Sequence, residues 1–296
     1  MIFVIVGPTG VGKSSLSIEF AKSCGGVIVN GDAFQCYKQM SIGTAKPSLQ
    51  ERQSVPHYLF DIADVRNAYT IYEYQHDLRQ TLDELIKLNK HIIIVGGSGL
   101  YLKSALYDFT LNDVVNPVDM SKYENMDEDT LYDCLQKIDY KASLTIHKHN
   151  RKRVLRAIQI FLESGKKKTD IIASQEHKPL YDVIFVGLSK PSREELYNMI
   201  NNRVDIMVKD GLIDEVKMLM KEYDPSLRAF QAIGYKELMD AIINNTSIES
   251  ALELIKKRTR NYAKRQYTYF KNQLNVNWFV DKNEALDFMQ KKVRGM

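Results

Sequence analysis

Gly7-Pro8-Thr9-Gly10-Val11-Gly12-Lys13-Ser14 satisfies G-x-x-x-x-G-K-[ST] at every required position. Glycines at that spacing let backbone N–H groups turn inward around phosphate oxygens. The lysine reaches the outer phosphates, and the serine hydroxyl is placed to bind Mg²⁺. Asp32 stands just past a short apolar run, Val27-Ile28-Val29, so it projects into the same crevice as Lys13. A carboxylate there can be a general base, a Mg²⁺ ligand or a turn residue, and the local pattern leaves all three open. A further apolar run, Ile92-Ile93-Ile94-Val95, ends in Gly96-Gly97-Ser98-Gly99 and not in an acid. A standard ATPase magnesium site is not evident, which weakens nucleotide hydrolysis and kinase chemistry.

These residues need a scaffold of strands and helices. Residues 2–6 form a β-branched and aromatic run that reads as a buried strand, and Leu16, Ile18, Phe20 and Ala21 continue as a helix whose N-terminus adds its positive end to the phosphate loop. Val55 to Ile62 alternates weakly and contains His57 and Asp61. Thr70 and Glu73 form a capping-box pattern opening a helix with Ile71, Tyr74, Leu78, Leu82 and Leu85 on its apolar face. Alternating strand and helix signals predict an α/β fold: a P-loop NTPase-like core, its sheet mostly parallel and flanked by helices, with ligands at the carboxyl ends of the strands. Between 112 and 178 the character changes: Val115 to Met126 lacks periodicity, while 127–138 and 151–163 look helical. Strand character returns at Val183-Ile184-Phe185-Val186. A helix capped by Ser192 and Glu195 follows, then a long amphipathic helix over 247–271, a short strand near 276–280 and a last helix opened by Asp281 and Glu284. The expected organisation is a catalytic core of 1–111 and 179–296 interrupted by a helical insertion at 112–178.

The 296 residues are 44% hydrophobic and 26% charged, an ordinary globular balance, and the net charge of +4 says nothing by itself. Cys24, Cys36 and Cys134 are too few for a disulfide framework and form no zinc-type pair. No apolar run approaches the roughly 20 residues of a membrane span, and residues 1–6 lead straight into the glycine loop without a leader pattern, so a cytoplasmic protein is expected. The basic residues are clustered. Lys148, Arg151, Lys152, Arg153, Arg156 and Lys166 to Lys168 concentrate charge in the insertion. Lys256, Lys257, Arg258, Arg260, Lys264, Arg265 and Lys271 do so on the late helix, interleaved with Tyr262, Tyr267, Tyr269 and Phe270. Two such surfaces suggest nucleic acid, with cations on phosphates and rings that either stack or pack. The bland alternative is a solvated helix face whose tyrosines fill the core.

Beyond the phosphate loop, Asp32-Ala33-Phe34-Gln35-Cys36-Tyr37, Ile42-Gly43-Thr44-Ala45-Lys46-Pro47, Val55-Pro56-His57, Gly96 to Tyr101, Asn150 to Ala157, Ala232 to Glu237 and Tyr262-Ala263-Lys264-Arg265-Gln266 occur in order. With these motifs the sequence resembles the bacterial-type tRNA dimethylallyltransferases (tRNA isopentenyltransferases) along nearly its whole length. The resemblance implies transfer of a dimethylallyl group from dimethylallyl diphosphate to N6 of the adenosine immediately 3′ of the anticodon, tRNA position 37, with release of diphosphate. It explains a phosphate loop without the usual acid, because the loop would hold a leaving group.

By the family's pattern Asp32 takes the N6 proton. Gly7, Thr9, Gly10, Val11, Gly12, Lys13 and Ser14 hold the diphosphate together with Arg203, and Ser14 supports Mg²⁺, the one cofactor implied. Ser98 falls where the family usually has Thr and contacts substrate near the leaving oxygen. Ala33, where the family usually has Ser, joins Asp32, Phe34, Gln35 and Ser98 on the acceptor nucleotide. Lys152, Arg153, Val154, Leu155 and Arg156, Phe230, Gln231, Ala232, Ile233, Gly234 and Tyr235, and Lys264 and Arg265 align with segments contacting the tRNA anticodon stem-loop, of the type with an A-A-A run from the last anticodon base. No membrane and no obligate protein partner are implied, and a monomer is the default. Two rivals use the same scaffold: an adenylate isopentenyltransferase acting on free AMP, ADP or ATP, and a P-loop small-molecule kinase. The insertion and the late basic helix speak against the adenylate enzyme, since a free nucleotide needs neither; in the kinase, Asp32 would be base to a hydroxyl and Arg151, Arg153 and Arg156 would be lid arginines.

Overall fold

A computed structural model describes residues 1–111 and 118–295. The chain divides into two compact units, Met1–Leu106 with Tyr181–Met296, and Tyr107–Leu180.

The larger unit is built on six strands: β1 (Ile2–Val6), β2 (Val27–Asn30), β3 (His57–Tyr58), β4 (Ile92–Val95), β5 (Val183–Leu188) and β6 (Val276–Phe279). Their order is β3-β2-β4-β1-β5-β6, and all five pairings are parallel, as the alternating sequence pattern predicts. β1, β2 and β4 are buried at every position, which is why they read as continuous apolar runs and not as alternating ones. Side chains alternate between the two faces. Phe3, Ile5, Ile28, Ile93, Val95, Val186 and Leu188 share one face, covered by Leu16 and Phe20 of the helix Lys13–Cys24 and by Ala285 and Met289 of the helix Lys282–Arg294. The helix Ile71–Lys87 opens with the expected capping box. Its Tyr74 hydroxyl donates to the Asn30 carbonyl at 3.1 Å, docking the helix at the end of β2.

A second core gathers four helices, Arg193–Lys209, Leu212–Glu222, Tyr235–Ile243 and Ile248–Gln273, around Cys36, Tyr37 and Met40. The chain just beyond β2 is thus embedded in a helical layer. Val55 to Ile62 contributes only the two residues of β3, because Leu59 (φ 62°) and Asp61 (φ 56°) turn to left-handed backbone and end the strand.

The smaller unit opens at Tyr107, before the boundary at 112 that composition suggests. Its ends are tied together: Tyr107 bridges Pro179, and Asp108 N–H donates to the Lys178 carbonyl at 2.9 Å. Residues 112–117, which include the start of the stretch lacking periodicity, lie outside the described residues. Its core joins Leu131, Leu135, Ala142, Ile146, Val154, Ala157 and Ile158. Buried Asp139 holds two helix starts at once, accepting Ala142 N–H at 3.0 Å and Thr169 N–H at 3.0 Å. Arg151 is spent internally, donating to the carbonyls of Tyr123, Glu124 and Met126. Lys152, Arg153 and Arg156 remain exposed on the same helix. In both units no helix among the described residues is long and apolar enough to cross a membrane.

Candidate active site

The glycine loop begins where β1 ends. Gly7 has φ 131°, and a Cβ there would lie 2.3 Å from the Leu188 carbonyl oxygen, so the close approach of loop and β5 admits only glycine. Lys13 opens the following helix. Its Nζ folds back beneath the loop and donates to the Gly7 and Pro8 carbonyls at 3.0 and 2.7 Å. Burial and the nearby Arg203 guanidinium lower its pKa to about 7, with Asp32 acting the other way. Thr9 N–H donates to Oε1 of Gln266 at 3.0 Å, tying the loop to the helix Ile248–Gln273.

Asp32 is held by the end of β2. Asn30 accepts Asp32 N–H through Oδ1 at 2.9 Å and donates to the Asp32 and Leu59 carbonyls through Nδ2. Asp32 Oδ1 in turn accepts Phe34 N–H at 2.9 Å, a turn-closing bond. Burial raises the carboxyl above its ordinary value, outweighing the Phe34 N–H, Lys13, Gln35 N–H and Arg203, all of which favour its charge. The turn after β4 closes on this loop: Ser98 N–H donates to the Gly31 carbonyl at 3.3 Å, and a Cβ on Gly96 would sit 2.0 Å from that same carbonyl. No acidic side chain has room at Gly96, which accounts physically for the missing acid after β4.

Two cavities meet here. The first, about 580 Å³, is lined by Thr9, Gly10, Gly12, Lys13 and Ser14 of the loop and by Asn202 and His57. The second, about 300 Å³, is lined by Phe34, Ile200, Met207, Ala232, Ile233 and Arg265, among others. Thr9, Asp32, Thr44, Arg203 and Tyr262 line both. The structure therefore brings the expected base and one expected cation to a shared wall, with phosphate-loop N–H groups on one side and a largely apolar chamber on the other. Such a wall can hold an anion, receive a proton and exclude water between them. Ser14 is exposed in the first cavity. Mg²⁺ retains several waters and is satisfied by few protein oxygens beside phosphate oxygens, so a metal arriving with a phosphate compound fits this hydroxyl. A resident metal has no cage, since no group of three or more His, Cys, Asp or Glu able to hold one occurs among the described residues.

Other expected residues fall in several places. Gln35 lines the first cavity, but its Nε2 donates to the Thr44 and Ala45 carbonyls at 2.9 and 3.1 Å, bracing the Ile42–Pro47 motif. Ser98 stands one step behind the wall, where its Oγ accepts Ala33 N–H at 3.0 Å. Gln231, Ala232, Ile233 and Gly234 line the second cavity. The side chains of Val154, Phe230 and Tyr235 are buried in helical cores, so what they present outward is backbone and the position of their neighbours. The late basic cluster splits. Lys256 pairs with Asp205 and Glu253, Arg258 with Glu237, and Arg260 donates to Asn201, while Lys264 and Arg265 stay exposed. Its rings divide: Phe270 is fully buried, Tyr267 lies 5.0 Å from Trp278 but is exposed, and Tyr262 faces the two cavities.

Composition and spacing miss three contributors. Glu215 accepts the N–H groups of Ser41, Ile42 and Gly43, and Tyr235 joins this clamp by donating to Glu215 while accepting Gly43 N–H. Gln266 bridges Thr9 and the Gly97 carbonyl, and Tyr262 lies one helical turn before it. Both belong to the Tyr262–Gln266 motif, and their i, i+4 spacing was the available signal.

The family model described as IPP transferase matches residues 35–273. The tRNA dimethylallyltransferase of Bacillus mycoides (strain KBAB4) is 40% identical over 285 residues, covering 94% of this chain and 89% of that protein. The crystal structure of the tRNA isopentenylpyrophosphate transferase of Staphylococcus epidermidis is similar with a TM-score of 0.74 at 37% identity, over 99% of this chain and 98% of that one. A eukaryotic dimethylallyltransferase acting on tRNA is similar with a TM-score of 0.85 at 27% identity, over 99% of this chain and 79% of that one. Phosphate loop, facing carboxylate and these relationships agree: the chain is an enzyme of the IPP transferase family.

Proposed function

We propose that this enzyme transfers the dimethylallyl group of dimethylallyl diphosphate to N6 of the adenosine immediately 3′ of a tRNA anticodon, releasing diphosphate. The observation that carries the reading is the shared wall: Asp32 and Arg203 face both cavities, so base and cation stand where a donor in the first and an unstacked adenine in the second would meet. The loop from Gly7 to Ser14 binds the diphosphate, and Lys13 and Arg203 offset its charge. The N6 lone pair is weakened by conjugation with the ring, so Asp32 accepts the N6 proton as the C–N bond forms. The allylic C–O bond breaks and its electron pair leaves with the diphosphate. Mg²⁺, held by the Ser14 hydroxyl and diphosphate oxygens, would supply further charge neutralisation. Ser98 serves by holding Ala33, and through it the Asp32 turn, while the apolar lining of the second cavity keeps water from the allyl donor.

For the acceptor, Gln35, Phe34 and the stretch from Gln231 to Gly234 shape the pocket, with Lys264 and Arg265 exposed for RNA phosphates. On the smaller unit Lys152, Arg153 and Arg156 are exposed, and we assign them to the anticodon stem-loop. The reading includes a cytoplasmic enzyme acting as a monomer without an obligate protein partner. The test is radiolabelled dimethylallyl diphosphate with three acceptors: tRNA carrying the A-A-A run, AMP, and none. Label enters the tRNA alone and disappears when the adenosine beside the anticodon becomes guanosine. Label in AMP replaces this reading with the adenylate enzyme, and no label at all with ATP consumption replaces it with a kinase. Reversing Lys152, Arg153 and Arg156 together reduces the slope of log affinity for tRNA against log salt by about two to three. An unaltered slope moves the RNA footprint off this helix.

A further inference from the structure

Two segments that line the second cavity are far apart in the chain: Gly43 and Thr44 in the loop after β2, and Gln231 to Gly234 just before the helix Tyr235–Ile243. The side chain of Tyr235 ties one to the other. Its hydroxyl accepts Gly43 N–H at 3.1 Å and donates to Oε1 of Glu215 at 2.5 Å. The one proton of the phenol is thereby committed, and the residue is fully buried, so it acts through what it holds and not on a substrate. Burial and the Glu215 charge push the phenol well above its ordinary value, which keeps it a donor. The ring matters as well as the hydroxyl. A Cβ on Gly43 would sit 2.4 Å from Cε2 of Tyr235, so only glycine allows this approach.

Glu215 completes the tie. Its two oxygens accept Ser41, Ile42 and Gly43 N–H at 3.1, 3.0 and 3.3 Å. Successive backbone N–H groups form an anion-binding concavity, and here the anion comes from the protein's own helix Leu212–Glu222. Further along the loop Gln35 holds the Thr44 and Ala45 carbonyls, and the buried Lys46 ammonium donates to the Tyr37 carbonyl and to Asp61. Ala45 has φ 48°, a left-handed conformation that a non-glycine residue keeps only where its surroundings over-determine it. The other segment is fixed from behind: Glu237, itself buried and paired with Arg258, accepts Gly234 N–H at 2.7 Å. Each segment is held by several bonds, and the Tyr235–Glu215 pair fixes one relative to the other.

Resting on the function proposed above, we propose that Tyr235 and Glu215 are positioning residues for the acceptor: by fixing the Gly43–Thr44 loop against the Gln231–Gly234 segment, they shape the pocket that holds the unstacked adenine with N6 toward Asp32. Neither side chain touches the substrate. The phosphate loop and the exposed Lys264 and Arg265 belong to other elements. Loosening the tie therefore misaligns the adenine and leaves donor binding and the charge-driven part of tRNA affinity in place.

Tyr235→Phe keeps the ring against Gly43 and removes both bonds of the hydroxyl. In single-turnover assays of the full chain at saturating substrates, transfer to tRNA falls about 10- to 10²-fold. Affinities for tRNA and for inorganic diphosphate stay within about threefold. A second readout follows the base itself. An anticodon stem-loop with 2-aminopurine in place of the target adenosine has no 6-amino group to react, and its fluorescence, quenched by stacking, rises when the base leaves the stack. Saturating unsubstituted enzyme brightens this probe, and Tyr235→Phe gives less than about half that rise. A transfer rate within about threefold of the unsubstituted enzyme overturns the proposal. So does a rate loss with full brightening, which would put the effect of the tie on the donor. A loss shared by diphosphate binding also overturns it, since the pair would then be a general support of the fold. If Tyr235→Phe melts below the assay temperature, Glu215→Gln takes its place: an amide offers the three N–H groups one acceptor oxygen where the carboxylate offers two, and the same pattern is expected. Unaltered transfer or weakened diphosphate binding in that variant overturns the proposal. Failure of the unsubstituted enzyme to label tRNA is a different result and strikes the proposed function itself.

Discussion

Replacing Asp32 with asparagine lowers the single-turnover rate of dimethylallyl transfer by about 10³-fold, within the range attributed to a positioned general base, while tRNA affinity is unchanged. The substitution keeps shape and keeps the amide oxygen that accepts Phe34 N–H, so the turn between β2 and Phe34 survives. What disappears is the ability to receive the N6 proton. The removed anion also stood beside Lys13 and Arg203, so donor binding does not weaken through lost attraction; a like charge facing the diphosphate is gone. The effect therefore falls on kcat. Because burial holds the Asp32 carboxyl above its ordinary value, the acid limb of kcat/KM is displaced upward from that of an ordinary aspartate, and activity rises with pH as Asp32 loses its proton. A variant within about tenfold of the unsubstituted rate would take proton transfer away from Asp32 and leave it the turn-closing bond alone.

How much of this site a reader of the sequence can see depends on chain distance. The glycine loop and β1 are contiguous, and each position in Gly7–Ser14 carries a separate physical demand, so the motif is legible unaided. Asp32 is visible because it stands three positions past an apolar run, but its use as base, ligand or turn is decided by Lys13, Arg203 and Phe34 N–H together, and only Phe34 is near in sequence. Gln266 bonds Thr9 across 257 residues, and no periodicity reports a contact of that kind. Composition also misjudges charge. Arg151, Lys256, Arg258 and Arg260 count toward basic clusters in a linear reading, yet the fold ties each of them to carbonyls or acids. Their removal leaves a smaller exposed set that includes Lys152, Arg153, Lys166, Lys167, Lys257, Lys264, Arg265 and Lys271, with Arg156 exposed but paired to Glu163, and sharpens where RNA phosphates could be met. The helix Leu212–Glu222 carries none of the sequence motifs and Tyr235–Ile243 only the end of the Ala232–Glu237 motif, although the first supplies Glu215 and the second Tyr235, the clamp on Ser41 to Gly43.

Lys13 is the second large lever. Lys13→Ala should reduce kcat/KM by about 10²- to 10³-fold, the loss expected when one preorganised cation is removed from a developing anion. The pH dependence is more diagnostic. In the substrate-free enzyme the ammonium is pushed down to about 7 by burial and by Arg203, with Asp32 opposing. Above that pH the lysine is neutral before donor binds, and binding must return the proton, so donor affinity falls by up to about tenfold per pH unit. The diphosphate of the donor also titrates, in the sense that strengthens binding as pH rises, and would mask the trend in the unsubstituted enzyme alone. Lys13→Arg removes the ambiguity, because a guanidinium stays charged throughout and the ligand's own titration cancels in the ratio of the two affinities. Measured by calorimetry with inorganic diphosphate, that ratio should be flat below about 7 and should then shift steadily in favour of the arginine variant. A ratio that stays flat to high pH would mean that Lys13 keeps its proton in the free site, and that burial beneath the loop costs the ammonium less than its surroundings imply.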